Sequence, residues 1–345
     1  VSVLGLARTD AVDVPSVRPT DPLGYRLLGW PTSRAVAAVV VLFAVSAALS
    51  GASVGRTALL AMLPFAALTV IVAAGQTLVV QQAGLDLSVA GGISLGALIV
   101  AKYGGPNQWG VTLAVTVALA AALFTGLVSG LVITTFGLPP LVVTIAVNAI
   151  LIGAVQFLSG GYSAQAPDAL SQFAVGRTAG VPNLVLVAVV VIALAQLVLK
   201  ATVVGRRFEL VGANRRAAHA AGISTRRYTT SAYALSAVLA GGTGVLLAGF
   251  LRTTTLSAGD AYLLPSVAAV VLGGTALSGG RGSLTGTALG ALFLGQLNQL
   301  VQTYTQTTAV QNIVQAVIIG VGIVVQLNLA ARLRRRAIRR NPQVT

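Results

Sequence analysis

TALLAMLPFAALTVIVAAGQTLVVQQ, residues 57–82, carries no charged side chain from one end to the other. A helix needs about 20 apolar residues to cross a hydrocarbon core roughly 30 Å thick, so this stretch is long enough to span by itself. Comparable runs lie on both sides of it. We read crossings near 35–50, 57–82, 89–102, 111–134, 140–158, 182–200, 231–251, 262–279, 284–302 and 308–329, about ten in all. The run 89–102 is the shortest, and it leaves crossing and re-entry both open. Composition agrees with this reading: 56% of the residues are hydrophobic, only 8% are charged, and the mean hydropathy is +0.89. Soluble domains carry about 25% charged residues. The expected fold is all-α, a polytopic membrane protein with about ten transmembrane helices.

A net charge of +15 would suggest nucleic acid in a soluble chain, but the placement of the basic residues gives another explanation. With ten crossings, four Arg before residue 35, seven Lys or Arg in 200–230, Arg281 and six Arg after residue 331 share one side. Arg56, Lys102, Arg177 and Arg252 fall on the other. That asymmetry is the positive-inside pattern, and it puts both termini and the 201–230 loop in the cytosol of a plasma-membrane protein surrounded by lipid. No aromatic stacking face accompanies the basic residues, so no nucleic-acid partner is expected. Residues 1–34 read as a flexible cytosolic tail and not as a cleaved signal peptide, 35–329 as the transmembrane domain, and 330–345 as a basic cytosolic tail.

Several chemistries are disfavoured by what the chain lacks. It has no Cys, one His and one Met, which argues against thiolate chemistry and against a dedicated transition-metal site. Gly279-Gly280-Arg281-Gly282-Ser283 superficially resembles a phosphate loop. A Walker A loop requires Lys before Ser or Thr, and Lys102 and Lys200 are preceded by Ala and Leu. The chain is expected to bind no cofactor and to catalyse no reaction of its own.

Both halves contain a break within apolar sequence: Gly84-Leu85-Asp86-Leu87-Ser88 in the first, Ser257-Ala258-Gly259-Asp260 followed by Pro265 in the second. Helices following these breaks run in opposite directions in the ten-crossing topology, the weak signature of an inverted repeat with interrupted helices beside a translocation path. Two unrelated loops in a Gly-rich chain are the other reading. Small residues recur at four-residue spacing in Gly92 and Gly96, in Gly126 and Gly130, and in Gly282, Gly286 and Gly290. Lipid gives helices no hydrophobic reason to associate, so such glycines serve close backbone packing, within the subunit or against a second copy.

In the 201–230 loop, Asn214 suits an N-cap and Gly222 a C′ position, bounding a two-turn helix over 215–221. A helix that short needs support from packing. Asn214, Arg215, Arg216, Ala217, Ala218, Ala221 and Gly222 are the candidate docking residues for a cytosolic motor; a plain topology-anchoring loop is the alternative. Asp86 is the one ionisable residue within the apolar sequence, at a break where water or helix amides can reach it. Its expected role is to cap the helix starting near Val89, with direct coordination of an ion or solute as the alternative. Neutral amides are plentiful, and Gln76, Asn148, Gln296, Asn298 and Gln299 together with Asp86 are the candidate path residues. Uncharged donors and acceptors suit a hydroxylated solute; interhelical hydrogen bonding explains them equally.

The chain resembles the permease subunits of bacterial ATP-binding cassette importers for simple sugars, of the ribose, xylose, arabinose and galactose type. The resemblance covers roughly residues 60–328. It is carried by Gly75-Gln76-Thr77-Leu78 with Ala83 to Val89, Gly126 to Gly130 with Leu138 to Thr144, Gly212-Ala213-Asn214 through Ala221-Gly222-Ile223, and Val267 to Thr275 with Gly279 to Ser283. It implies an importer permease fold, two permease subunits forming one pathway, an extracytoplasmic binding protein that delivers the sugar, and separate ATPase subunits that bind ATP and Mg. Residues 217–222 look like the segment that contacts the ATPase. Where many members carry acidic residues just before the position of Val267, this chain has Leu263 and Pro265. A permease for a nucleoside, an amino acid or a signalling furanose, and an ion-coupled secondary carrier, are the rival functions.

Overall fold

The computed structural model describes residues 31–105 and 107–305, together with single positions at 307, 310, 313, 316, 317 and 320. The expected crossing at 308–329 and both tails fall essentially outside the described residues. Twelve helices are described: α1 (Pro31–Leu49), α2 (Arg56–Gln81), α3 (Val89–Tyr103), α4 (Gln108–Phe136), α5 (Pro140–Ser159), α6 (Asp168–Val175), α7 (Asn183–Ala201), α8 (Val203–Ala213), α9 (Arg215–Ala220), α10 (Thr225–Leu251), α11 (Asp260–Leu272) and α12 (Leu284–Tyr304). A single two-residue hairpin, Arg177–Thr178 with Val181–Pro182, links α6 to α7 among the described residues.

Six of these helices, α1, α2, α4, α5, α7 and α10, are long and apolar enough to cross a membrane, against the ten expected. One of the four missing crossings, 308–329, lies outside the described residues, and the other three have local causes. Helix α3 has only 15 residues. The expected crossing 262–279 stops at Leu272, because Gly274, Gly279 and Gly280 take left-handed backbone that ends the helix and turns the chain. Helix α12 has 21 residues, but Gln296, Asn298, Gln299 and Gln302 lower its hydropathy. The 201–230 segment is also more helical than a loop. It is filled by α8, α9 and the first turn of α10, which begins at Thr225 and not near 231.

Helices α2 and α10 form the centre. In their apolar windows 67% and 61% of residues are buried, against 17–22% for α1, α4, α5 and α7, which ring them. Small residues make this arrangement possible. A Cβ on Gly75 of α2 would lie 2.9 Å from the Ser236 Cα of α10, and a Cβ on Gly244 would overlap the Ile93 carbonyl of α3. Gly126 and Gly130 set α4 against α10, and Gly286 and Gly290 set α12 against α11. In lipid, where apolar surface alone does not drive association, such close approach gains dispersion contact between backbones.

Helix ends follow local chemistry. Gly137 takes left-handed backbone (φ 65°) after α4, and Pro140 opens α5, where its missing N–H costs nothing. The two breaks also meet in space. The Gly259 N–H, at the start of α11, donates to Ser94 Oγ of α3 at 3.0 Å, and a Cβ on Gly259 would overlap the Ala90 carbonyl.

Candidate functional site

The break after α2 is closed by side chains that fold back onto it. The Gln76 amide donates to the Asp86 carbonyl at 2.7 Å while its oxygen accepts the Asp86 N–H at 3.2 Å, so one side chain satisfies the backbone on both sides of Asp86. Asp86 is 1% exposed, so of the water or helix amides expected to reach its carboxylate it is an amide that does. Its Oδ1 accepts from Ser88 N–H at 3.0 Å and Ser88 Oγ–H at 2.5 Å, and its Oδ2 accepts from Ser236 Oγ–H of α10 at 2.8 Å. The bond to the N-cap residue's own amide fixes the entry to α3, whereas the first-turn amide of Gly91 is taken from outside by Asn148 Oδ1 of α5 at 2.8 Å. Gln76, Asp86 and Asn148 therefore gather where α3 begins. Tyr233 Oη is buried beside this segment without a hydrogen-bond partner, at the spot that a Cβ on Gly84 would occupy.

A second group ties the 201–230 segment to the end of α2. Asn214 caps α9, its Oδ1 accepting from the Ala217 N–H at 3.0 Å, and Gly222 ends it with left-handed backbone (φ 74°). Arg215, the first residue of α9, donates from Nη2 to the Gln82 carbonyl at 2.7 Å. The Gln82 amide donates in turn to the Phe208 carbonyl of α8 at 2.9 Å, and the Gly280 N–H donates to the Gln81 carbonyl at 2.9 Å. The end of α2, helices α8 and α9, and the 279–282 loop thus share one knot, placed just before the Asp86 break. Gly212 and Gly282 have no Cβ because the Gln81 backbone and side chain occupy that space.

Among the docking candidates, Asn214, Arg215, Arg216, Ala217, Ala221 and Gly222 are exposed. Ala218 is not: at 4% exposure it is buried within the chain, which corrects its assignment to a docking surface. Helix α9 packs on α8 and α10, so its support comes from this chain and does not require an outside partner. The amides of α12 form a separate set. Gln296 is fully buried near the turn before α2, its Nε2 donating to the Ser53 carbonyl at 3.5 Å, while Asn298 accepts from Gln302 and Gln299 accepts from Thr303 through its carbonyl. The structure therefore joins Gln76, Asp86 and Asn148 and leaves Gln296, Asn298 and Gln299 outside that group. Gly126, Gly130, Gly286 and Gly290 sit at helix crossings, and Gly282 faces Gln81.

Gln81 and Gln82 stand out in the sequence only as two of its many neutral amides, and Ser236, Tyr233 and Phe208 were not among the expected site residues. The position of Gln81 and Gln82 directly before a glycine break was an available signal; Ser236 offered none.

Residues 58–323 match the family described as branched-chain amino acid transport system / permease component. The ribose import permease protein RbsC of Escherichia coli (strain K12) is 31% identical over 297 residues, which cover 85% of this chain and 92% of that protein. The ribose import permease protein RbsC of Bacillus subtilis (strain 168) is 33% identical over 266 residues, covering 76% and 82%. The fructose import permease protein FruF of Bifidobacterium longum (strain NCC 2705) is 31% identical over 290 residues, covering 81% of each. No solved structure matches the chain significantly.

Proposed function

The chain belongs to the permease-component family described for branched-chain amino acid transport systems, and from that premise we propose that it is the membrane subunit of an ATP-binding cassette importer for a monosaccharide. The sugar class is supported by relatives named as ribose and fructose import permeases, each matched over most of its length. Separate ATPase subunits bind ATP and Mg and supply the work; a second permease subunit completes the pathway, and an extracytoplasmic protein delivers the sugar. Both termini and the 201–230 segment face the cytosol of a multi-pass inner-membrane protein, and the two broken segments form an inverted repeat.

The observation that carries the coupling role is the run of hydrogen bonds leading inward from exposed α9. A force on α9 reaches the end of α2 through Arg215 and Gln82, the residues 83–88 break follows directly, and Asp86 carries it to α10 through Ser236. Ion coupling is poorly served by the same geometry. Asp86 is the one carboxylate buried among the described residues, and both of its oxygens are already engaged by hydroxyl and amide donors. A path without fixed charge can exchange hydrogen bonds with a polyol but offers no counter-charge to an anion, whose burial without a partner is far more costly.

The complete complex reconstituted in vesicles should accumulate sugar only when ATP is present on the side of α9, and should be indifferent to an imposed proton or sodium gradient. Uptake driven by such a gradient with ATP absent would refute this mechanism.

A further inference from the structure

We propose that a groove between the C-terminal half of α4 and the start of α10 is a binding site for an anionic phospholipid. Its acyl chain lies along Leu127, Leu131 and Leu235, and its headgroup phosphate is held by Arg226 and Arg227. The site rests on the cytosolic placement of residues 201–230 given above.

Packing creates the apolar part. Gly126 and Gly130 bring α4 so close to α10 that a Cβ would lie 2.7 Å from the Ala237 Cβ and from the Thr230 Cα. Larger neighbours cannot enter that contact, so they flank it: Leu127, Leu131 and Leu235 are 38%, 42% and 49% exposed along a groove of about 640 Å³. At one end this wall gives way to Arg226 and Arg227. A second cavity of about 430 Å³ shares Arg227 with the groove and adds Arg207.

Charge selects the occupant. The described part of the chain has one salt bridge, Lys200 with Glu209 at 2.6 Å, and Glu209 is the one carboxylate in the 200–230 segment. Arg207, Arg226 and Arg227 therefore have no carboxylate partner among the described residues. Guanidinium groups bind phosphate oxygens through paired N–H donors, and basic pockets between helices on the cytosolic side suit acidic headgroups. An acidic protein surface would satisfy the arginines but would not require an apolar wall running from them up the side of a transmembrane helix pair. A phospholipid uses both.

Native mass spectrometry of the purified complex, supplied with equal phosphatidylglycerol and phosphatidylcholine, tests the site. Phosphatidylglycerol should be retained preferentially, and the double variant Arg226→Gln/Arg227→Gln should lower that retention by about tenfold. Leu131→Trp, which fills the groove and keeps both arginines, should lower it as well, and gel filtration establishes that each variant is assembled. Equal retention of the two lipids, or undiminished retention in either variant, overturns the proposal. So does displacement of the lipid by excess inorganic phosphate, which marks a plain anion site, or loss of the ATPase subunit from the double variant with lipid retention unchanged. Sidedness is read separately: in this cysteine-free chain, His219→Cys labelled from outside by an impermeant reagent defeats the cytosolic placement, whatever the lipid result.

Discussion

The Asp86 carboxylate accepts three hydrogen bonds from Ser88 and Ser236, all of them from neutral donors, so shape matters more there than charge. An Asn at this position keeps the Oδ1 acceptor for Ser88, and its amide can donate to the Ser236 hydroxyl. Asp86→Asn should retain most of the transport. Asp86→Leu leaves buried donors unpaired at about 1–3 kcal/mol each and should reduce the yield of assembled permease, measured by gel filtration. Complete loss of transport in an assembled Asn variant would mean that the charge itself is used. Beside it, Gly84→Ala should fail to assemble because its Cβ would overlap the Tyr233 hydroxyl, and adding Tyr233→Phe should restore part of the yield by removing that atom. Tyr233→Phe alone should cost little, since the hydroxyl it removes is buried without a partner. Asp86 was legible in the sequence as a lone carboxylate in apolar surroundings. Ser236 was not, because a partner 150 residues away is chosen by helix packing and leaves no local mark.

Helix crossings divide the glycines into two kinds with opposite expectations. Gly286 and Gly290 of α12 have the carbonyls of Gly273, just past α11, and of Ala269 in α11 where a Cβ would go. Replacing either by Ala should separate α12 from α11 and lower the thermal midpoint of the purified subunit, at an overpacking cost of about 1–3 kcal/mol. Gly153 on α5 has nothing within 4 Å, and Gly153→Ala should raise the midpoint by the equivalent of about 0.5–1 kcal/mol through helix propensity. Equal effects at the two sites would mean that the crossings are looser than this geometry. Element positions were largely legible, because uncharged runs and local caps act within a few residues: Gly137 with Pro140 marks a turn, and Asn214 with Gly222 bounds α9. Errors arose where composition and backbone disagree. Residues 267–275 stay apolar, yet the helix ends at Leu272 before the left-handed glycines. Helix α8 was read as loop because Arg206, Arg207 and Glu209 conceal its short buried face of Phe208 and Val211, whose three-residue spacing was the available signal.

Across the whole molecule, the hydrogen-bonded knot separates two functions that a transport assay alone would merge. In the proposed importer an ATPase subunit would dock on the exposed Ala217 of α9 and on Ala221 just past its end, whereas Arg215 connects α9 to the end of α2. Ala221→Glu should weaken assembly with the ATPase and lose transport and sugar-stimulated hydrolysis together. Arg215→Ala keeps Ala217 and Ala221 and should leave the complex assembled, but α9 would then lose its direct hydrogen bond to Gln82. A charge-assisted hydrogen bond of about 1.5–3 kcal/mol corresponds to roughly 10- to 150-fold in an equilibrium between conformations, so sugar moved per ATP hydrolysed should fall by at least about tenfold while hydrolysis continues. Lysine is the informative control: it preserves the charge but presents a point donor in place of a planar fork, so Arg215→Lys should recover coupling only in part. Unchanged stoichiometry in the assembled Arg215→Ala complex would show that force reaches the break by another route, through α8, whose Phe208 carbonyl still holds the Gln82 amide.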